Sequence, residues 1–221
     1  MELHSAKLTG YTMPCLEGLT TPSEMIAHHA RVSSTANQFN HKTGSKLIKS
    51  LITRKEWSPL EMVNLVFEIY TTRDISRQIL RHRSLSFQEF SARYSDPTEL
   101  GYTEREARGK HSTDRQKSIE FLNSDPRHAR WSILQREVME YCKRAYDWAI
   151  SEGVAKECAR AVLPEGMIHT RLYANGTLRS WWHYCELRCD EKTQKEHRLV
   201  ANCVRESIFN LFPVMKELTD V

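Results

Sequence analysis

The chain has 221 residues, 40% of them hydrophobic and 27% charged, with a formal net charge of +4. That length fits one domain with a core large enough to fold without disulfide staples. No apolar run approaches the roughly 18 residues a membrane span needs, and so mild a positive charge fits a small anionic ligand as well as it fits nucleic acid.

Met1-Glu2-Leu3-His4 shows no basic stretch followed by an apolar one, so no secretory leader is read here. Six cysteines without a CxxC pair then read as reduced thiols, and the expected location is cytoplasmic. Cys185 and Cys189 stand four apart, with His183 and His197 nearby, a spacing that helical zinc sites use. No second ligand pair of recognisable spacing follows, so Cys185 reads as a core residue, Cys189 as a helix end, and no metal is expected.

Residues 3–13 read as a strand. Thr21-Pro22-Ser23-Glu24 opens a helix, with Pro near its first position and Met25, Ile26, His29, Val32 and Ser33 at helical spacing. A second helix spans about Gly44 to Lys55, with Leu47, Ile48, Leu51 and Ile52 on one face, and Ser58-Pro59 breaks it. Met62 to Tyr70, β-branched and aromatic, is a core strand. A short helix from about Asp74 to His82 and a strand from about Phe87 to Tyr94 follow. Residues 95–130 are polar and hold Pro97, Gly101, Gly109 and Pro126, which reads as a long surface excursion with some helix. Helical period returns from Trp131 to Ser151. A short helix covers about Ala155 to Leu163, Met167 to Ala174 is a third core strand, and helices run over about Leu178 to Arg188 and Thr193 to Phe212. The mixed order predicts an α+β fold, one domain over 1–221.

The eight glycines form no GxG, and there is no GK[ST] loop, GxSxG elbow or HExxH. A nucleotide would therefore have to be held by side chains. The segment Arg73 to Tyr94 is dense in suitable donors. On a continuous helix Arg77, Arg81 and Ser84 share one face, with Gln78 and His82 beside them. On a continuous strand Phe87, Glu89, Ser91 and Arg93 share one side. That row of carboxylate, hydroxyl and guanidinium suits a polar ring, a ribose and a phosphate, the planar Arg fork taking two phosphate oxygens at once. Thr177 is a candidate N-cap for the helix that ends at Arg188, where the helix dipole favours a cation.

Arg81-His82-Arg83, followed by Ser86, Glu89, Ser91, Arg93 and Tyr94, resembles the RHRxxSxxExSxRY signature of the flavin-dependent thymidylate synthases, the ThyX family. Ala30-Arg31-Val32-Ser33, Ser58-Pro59-Leu60-Glu61, Glu157-Cys158-Ala159-Arg160 through Pro164, and Leu187-Arg188 resemble further motifs of that family, in its order, over roughly residues 25 to 205. The resemblance implies reductive methylation of dUMP to dTMP, with methylenetetrahydrofolate as carbon donor and NADPH reducing a bound FAD. It implies helices flanking an antiparallel sheet, in a homotetramer whose active sites are shared between subunits. It also implies roles by position. Ser58, Arg81, His82, Arg83, Glu89, Thr177, Arg179 and His183 would bind FAD. Gln78, Arg81, Glu89, Ser91, Arg93, Arg160 and Arg188 would bind dUMP, with Arg188 the catalytic group that polarises the uracil. Cys158, beside Arg160, is not expected to act as a nucleophile, since the family's mechanism needs none, and reads as a packing residue; Ser91 has no neighbouring base to activate it.

Glu56, Met62 and Gln88 stand where many members carry His, His and Asn, His183 stands where others carry Asn, and one extra residue falls near Glu165-Gly166-Met167. The competing classes are a nucleic-acid-binding module built on the same arginines, which the interleaved carboxylates disfavour, and a family member that keeps the fold without the activity. Neither nucleic acid nor membrane is an expected partner.

Overall fold

A computed structural model describes residues 2–218, apart from the side chain of His41. It is an α+β fold around a four-stranded, wholly antiparallel sheet of order β1–β2–β6–β3. The strands are β1 (Ser5–Tyr11), β2 (Asn64–Thr72), β3 (Ser86–Glu89) and β6 (His169–Thr177). The central pair, β2 and β6, runs in register for nine residues, from Asn64↔Thr177 to Thr72↔His169. Strict alternation sets its two faces: Leu65, Phe67, Ile69, Leu172 and Ala174 are buried, whereas Glu68, Tyr70, Arg171 and Tyr173 lie on the opposite, polar face.

Helices cover the apolar face. Helix α1 (Pro22–Ala30) starts with a capping box in which Thr21 and Glu24 satisfy each other's backbone amides, with Pro22 at the first turn. It ends at Ala30, so Val32 and Ser33 leave the expected stripe and Val32 is exposed. Helix α2 (Gly44–Thr53) buries Ile48, Leu51 and Ile52. Helices α6 (Leu178–Arg188) and α7 (Lys195–Leu211) complete the core with Trp181, Tyr184, Val200, Val204 and Ile208. Gly176 on β6 gives the Leu85 side chain its room: a Cβ there would run into the end of that side chain and force it to shift. Cys185 is buried in this core and Cys189 is the C-cap of α6.

The polar segment 95–130 differs from its expected form. Between a 3₁₀ turn at Pro97–Leu100 and helix α4 (Pro126–Ser151) it contains a two-stranded ribbon, β4 (Arg108–Lys110) and β5 (Ser118–Glu120). Helix α4 therefore starts at Pro126, capped by Asp125, rather than at Trp131. The segment is also anchored. Arg105 and Arg108 reach inward and pair with the buried Glu196 at the start of α7, at 2.9 and 2.5 Å, and Arg105 bonds Asp74 at 3.0 Å. Helix α4 is 26 residues long, packs through Met139, Tyr146 and Ala149, and leaves Trp131, Tyr141 and Trp148 exposed. Among the described residues no helix is long and apolar enough to cross a membrane.

Candidate active site

The site is built around α3 (Arg73–Ile79), which ends three residues earlier than its sequence pattern predicts. Leu80 caps it, and the amide of His82 bonds the carbonyl of Ile79 in a tighter turn. The chain must reverse here to lay Ser86–Glu89 against β6, so Arg81, His82 and Arg83 lie on a turn. The face expected to join Arg77, Arg81 and Ser84 does not form. Strand β3 likewise stops at Glu89. Beyond Arg171, whose carbonyl accepts from the Phe90 amide, the β6 edge is taken by Gly101, whose carbonyl accepts from the His169 amide. Ser91 and Arg93 consequently sit on a turn closed by the amides of Tyr94 and Ser95 on the Ser91 carbonyl, not in a strand row with Glu89.

Helix α3 divides two cavities. Arg73 and Arg77, one turn apart, line the first, of about 500 Å³, together with Glu157, Arg160 and Glu165. Arg77 pairs with Glu89 at 3.1 Å and approaches Glu165 at 3.6 Å; Arg73 approaches Glu165 at 3.7 Å. Arg93 pairs with Glu157 at 3.2 Å across the rim. Glu89 is engaged internally, accepting from Ser76 at 2.7 Å and Thr170 at 3.1 Å, and so ties α3 to β6. The Ser91 hydroxyl accepts from the Arg93 amide. Arg73, Arg77 and Arg160 stand around one opening, with the half-exposed Glu165 beside the first two, and such a group of guanidiniums suits an anionic ligand.

Gln78, on the other side of α3, lines the second cavity, of about 490 Å³, with Glu186, Leu187, Arg188, Asp190 and Gln194. Arg188 donates from Nε to Nε2 of His82 at 2.9 Å. His82 packs edge-on against Tyr184, ring centroids 4.9 Å apart. Burial, and then the positive charges of Arg188 and Arg81, hold its imidazole down at about 4, so it is a neutral acceptor near pH 7. Behind it, His197 contacts the Tyr184 hydroxyl at 3.1 Å through Nε2 and the Gln78 carbonyl at 3.2 Å through Nδ1, and burial, Arg188 and His82 push it down to about 3. Gln78 donates to Gln194 at 2.8 Å, and Gln194 donates to Glu196 at 3.0 Å. Burial would raise the Glu196 carboxyl, but the Arg108 hydrogen bond and the charge of Arg105 hold it at about 2.

The remaining expected residues lie around the N-terminal half of α6. Thr177 is its N-cap, accepting from the Ser180 amide. Arg179 pairs with Glu61 at 2.8 Å, on the 3₁₀ turn that also carries Ser58. His183 bonds Glu186 at 2.9 Å and lies 5.9 Å from the Trp57 ring. Arg81, Arg83, Ser58 and His183 are exposed. This set supplies guanidiniums for a diphosphate and an aromatic pair for a planar ring, which is the donor chemistry a flavin dinucleotide needs. Cys158 is exposed, not packed, because α5 (Lys156–Ala159) buries only Ala159.

The sequence pattern assigns no site role to Tyr184, Gln194 or Glu196, names Arg73 only as the first of a donor-rich segment, and weighs His197 only as a neighbour of the Cys185–Cys189 pair. A signal existed for Glu196 and His197. They extend the apolar stripe of α7 one turn back from Val200, Ala201 and Val204, where a carboxylate and an imidazole must be buried and therefore partnered.

A family model described as thymidylate synthase complementing protein matches residues 16–214. The chain is 40% identical to a probable flavin-dependent thymidylate synthase of Paramecium bursaria Chlorella virus 1, covering 98% of this chain and 99% of the relative. It is 45% identical to the flavin-dependent thymidylate synthase of Synechocystis sp., covering 88% of each. Among solved structures, the UMP/dUMP methylase PolB of Streptomyces cacaoi, bound with 5-Br dUMP, superposes with a TM-score of 0.77 at 25% identity, covering 98% of this chain and 96% of that one. A family match across most of the chain, and relatives this similar over nearly their whole length, show that it belongs to the thymidylate synthase complementing protein family, that of the flavin-dependent thymidylate synthases.

Proposed function

We infer that this chain is a flavin-dependent thymidylate synthase that methylates dUMP to dTMP, with FAD as its flavin, methylenetetrahydrofolate as carbon donor and NADPH as reductant. The observation that carries this is Arg188 at the rim of the second cavity, tied to a neutral His82 beside Gln78. Forming a carbon–carbon bond at C5 of uracil spreads negative charge over the ring, and a fixed guanidinium stabilises that charge where water would have to reorganise. Because Nε is committed to His82, both terminal nitrogens of Arg188 remain for the ring. Gln78 would hold the imide edge, while Ser91, Arg93 and Arg160 would hold the phosphate. Glu89 acts through Arg77 and Ser76 to keep α3 in place. Arg81, His82, Arg83, Arg179, Ser58, Thr177 and His183 would hold the FAD, which when bound supplies the hydride that completes the methyl group.

Within one chain Arg93 and Arg160 flank the cavity on one side of α3 and Arg188 the cavity on the other. This separation supports a homotetramer in which each complete site draws on more than one subunit.

The flavin is tested by denaturing the purified protein and separating the released cofactor. FAD is expected, since a diphosphate makes use of more of these arginines than a single phosphate does. FMN as the sole flavin contradicts the assignment.

A further inference from the structure

We propose that Glu196 and Gln194 are positioning residues that fix which way round the Gln78 carboxamide faces its ligand, so that the cavity accepts a uracil-type imide edge and rejects a cytosine-type edge. The proposal rests on the reading of this cavity as a pyrimidine nucleotide site.

The argument is one of polarity. Glu196 is only 5% exposed and is paired with Arg105 and Arg108, so its carboxylate can only accept. Gln194, 3.0 Å away, must therefore turn its NH₂ toward Glu196 and its carbonyl toward Gln78. Gln78, 2.8 Å further on, must answer that carbonyl with its own NH₂, which leaves its carbonyl facing Nδ1 of His197. His197 must then carry its proton on Nδ1 and accept the Tyr184 hydroxyl proton at Nε2. Every group after Glu196 has two faces. An amide can turn over, an imidazole has two tautomers, and a hydroxyl both donates and accepts. Reversing Gln194, Gln78, His197 and Tyr184 together would preserve all of their mutual bonds. Only the acceptor-only carboxylate at the end of the chain breaks that symmetry.

The consequence falls on Gln78, which lines the cavity beside Arg188. It keeps one N–H and one carbonyl lone pair in a fixed order. Uracil offers an N3–H donor next to a carbonyl acceptor. Cytosine offers the reverse, an N3 acceptor next to an amino donor. An amide free to turn over pairs with either; one locked in place pairs with one of them and opposes the other.

The test uses FAD-loaded protein and compares dUMP with dCMP binding by calorimetry in the wild type and in Gln194→Met, which removes the link without uncovering the Glu196 ion pairs. The wild type is expected to prefer dUMP, and the variant's dUMP:dCMP affinity ratio to fall by about tenfold or more, since discrimination by a site with fixed hydrogen-bonding groups collapses when those groups can adapt. Equal weakening of both nucleotides, with the ratio kept, would overturn the proposal, because that is the result of a merely structural role. A second readout needs no ligand. The ¹⁵N shifts of the His197 ring should report a single Nδ1–H tautomer in the wild type and a mixture in Gln194→Met, and a single unchanged tautomer in both counts against the relay. Failure of the wild type to bind either nucleotide overturns the nucleotide reading and the selectivity with it, while the imidazole shifts still judge the relay.

Discussion

Arg188 is tied at one nitrogen only, by a histidine that accepts because it is neutral. The lysine ammonium gathers its donors at one point and lacks the planar fork that can hold His82 at one nitrogen and a ligand ring at the others. Arg188→Lys is therefore expected to keep the fold and the flavin spectrum but lose about 10²–10³-fold in turnover at saturating dUMP, the range seen when one fixed donor to developing charge is removed. Near-native turnover would contradict the role. Of the residues placed here, Arg188, Arg93 and Arg160 were legible in the sequence through their motif positions. Gln194, Glu196 and His197 were not, since their importance arises from contacts with Gln78, Arg105 and Arg108 that lie between 88 and 119 positions away.

At the scale of elements, α6 was legible to the residue because a capping threonine opens it and an apolar period runs through it to Arg188. The ends of α3 and β3 were not. Local pattern continues through both, and what stops them is tertiary: the reversal after Leu80 and the competition of Gly101 for the β6 edge. The ribbon β4–β5 was hidden for a similar reason, being three residues a side and anchored by buried charges rather than by an apolar face. That ribbon is fixed to α7 by the buried pair of Arg108 with Glu196 and by the more exposed pair of Glu120 with Lys195. Glu196→Ala would leave Arg108 buried without a carboxylate and Arg105 with Asp74 alone, and is expected to destabilise the protein by about 3–5 kcal/mol. Chemical denaturation of the flavin-loaded protein would measure it, and a loss below about 1 kcal/mol, the worth of an exposed pair, would show that the ribbon does not depend on this anchor.

At the scale of the whole molecule, the helices cover one sheet face, a long α4 carries exposed Trp131, Tyr141 and Trp148, and the proposed substrate residues are divided between two cavities. The proposed shared-site tetramer would account for both features, and it makes a sharp prediction. Arg93→Ala and Arg188→Ala should each be inactive alone. In hybrids purified through two different tags, sites that draw Arg93 and Arg188 from different subunits collect either both lesions or neither, so activity returns. If each chain builds its own site, every site carries one lesion, and hybrids stay as inactive as the single variants. The most direct test of the central claim is release of tritium from dUMP labelled at C5, in the presence of FAD, NADPH and methylenetetrahydrofolate. Release accompanied by dTMP, and dependent on each component, is predicted. A flavin-loaded protein that binds dUMP yet liberates no tritium and forms no dTMP would contradict it.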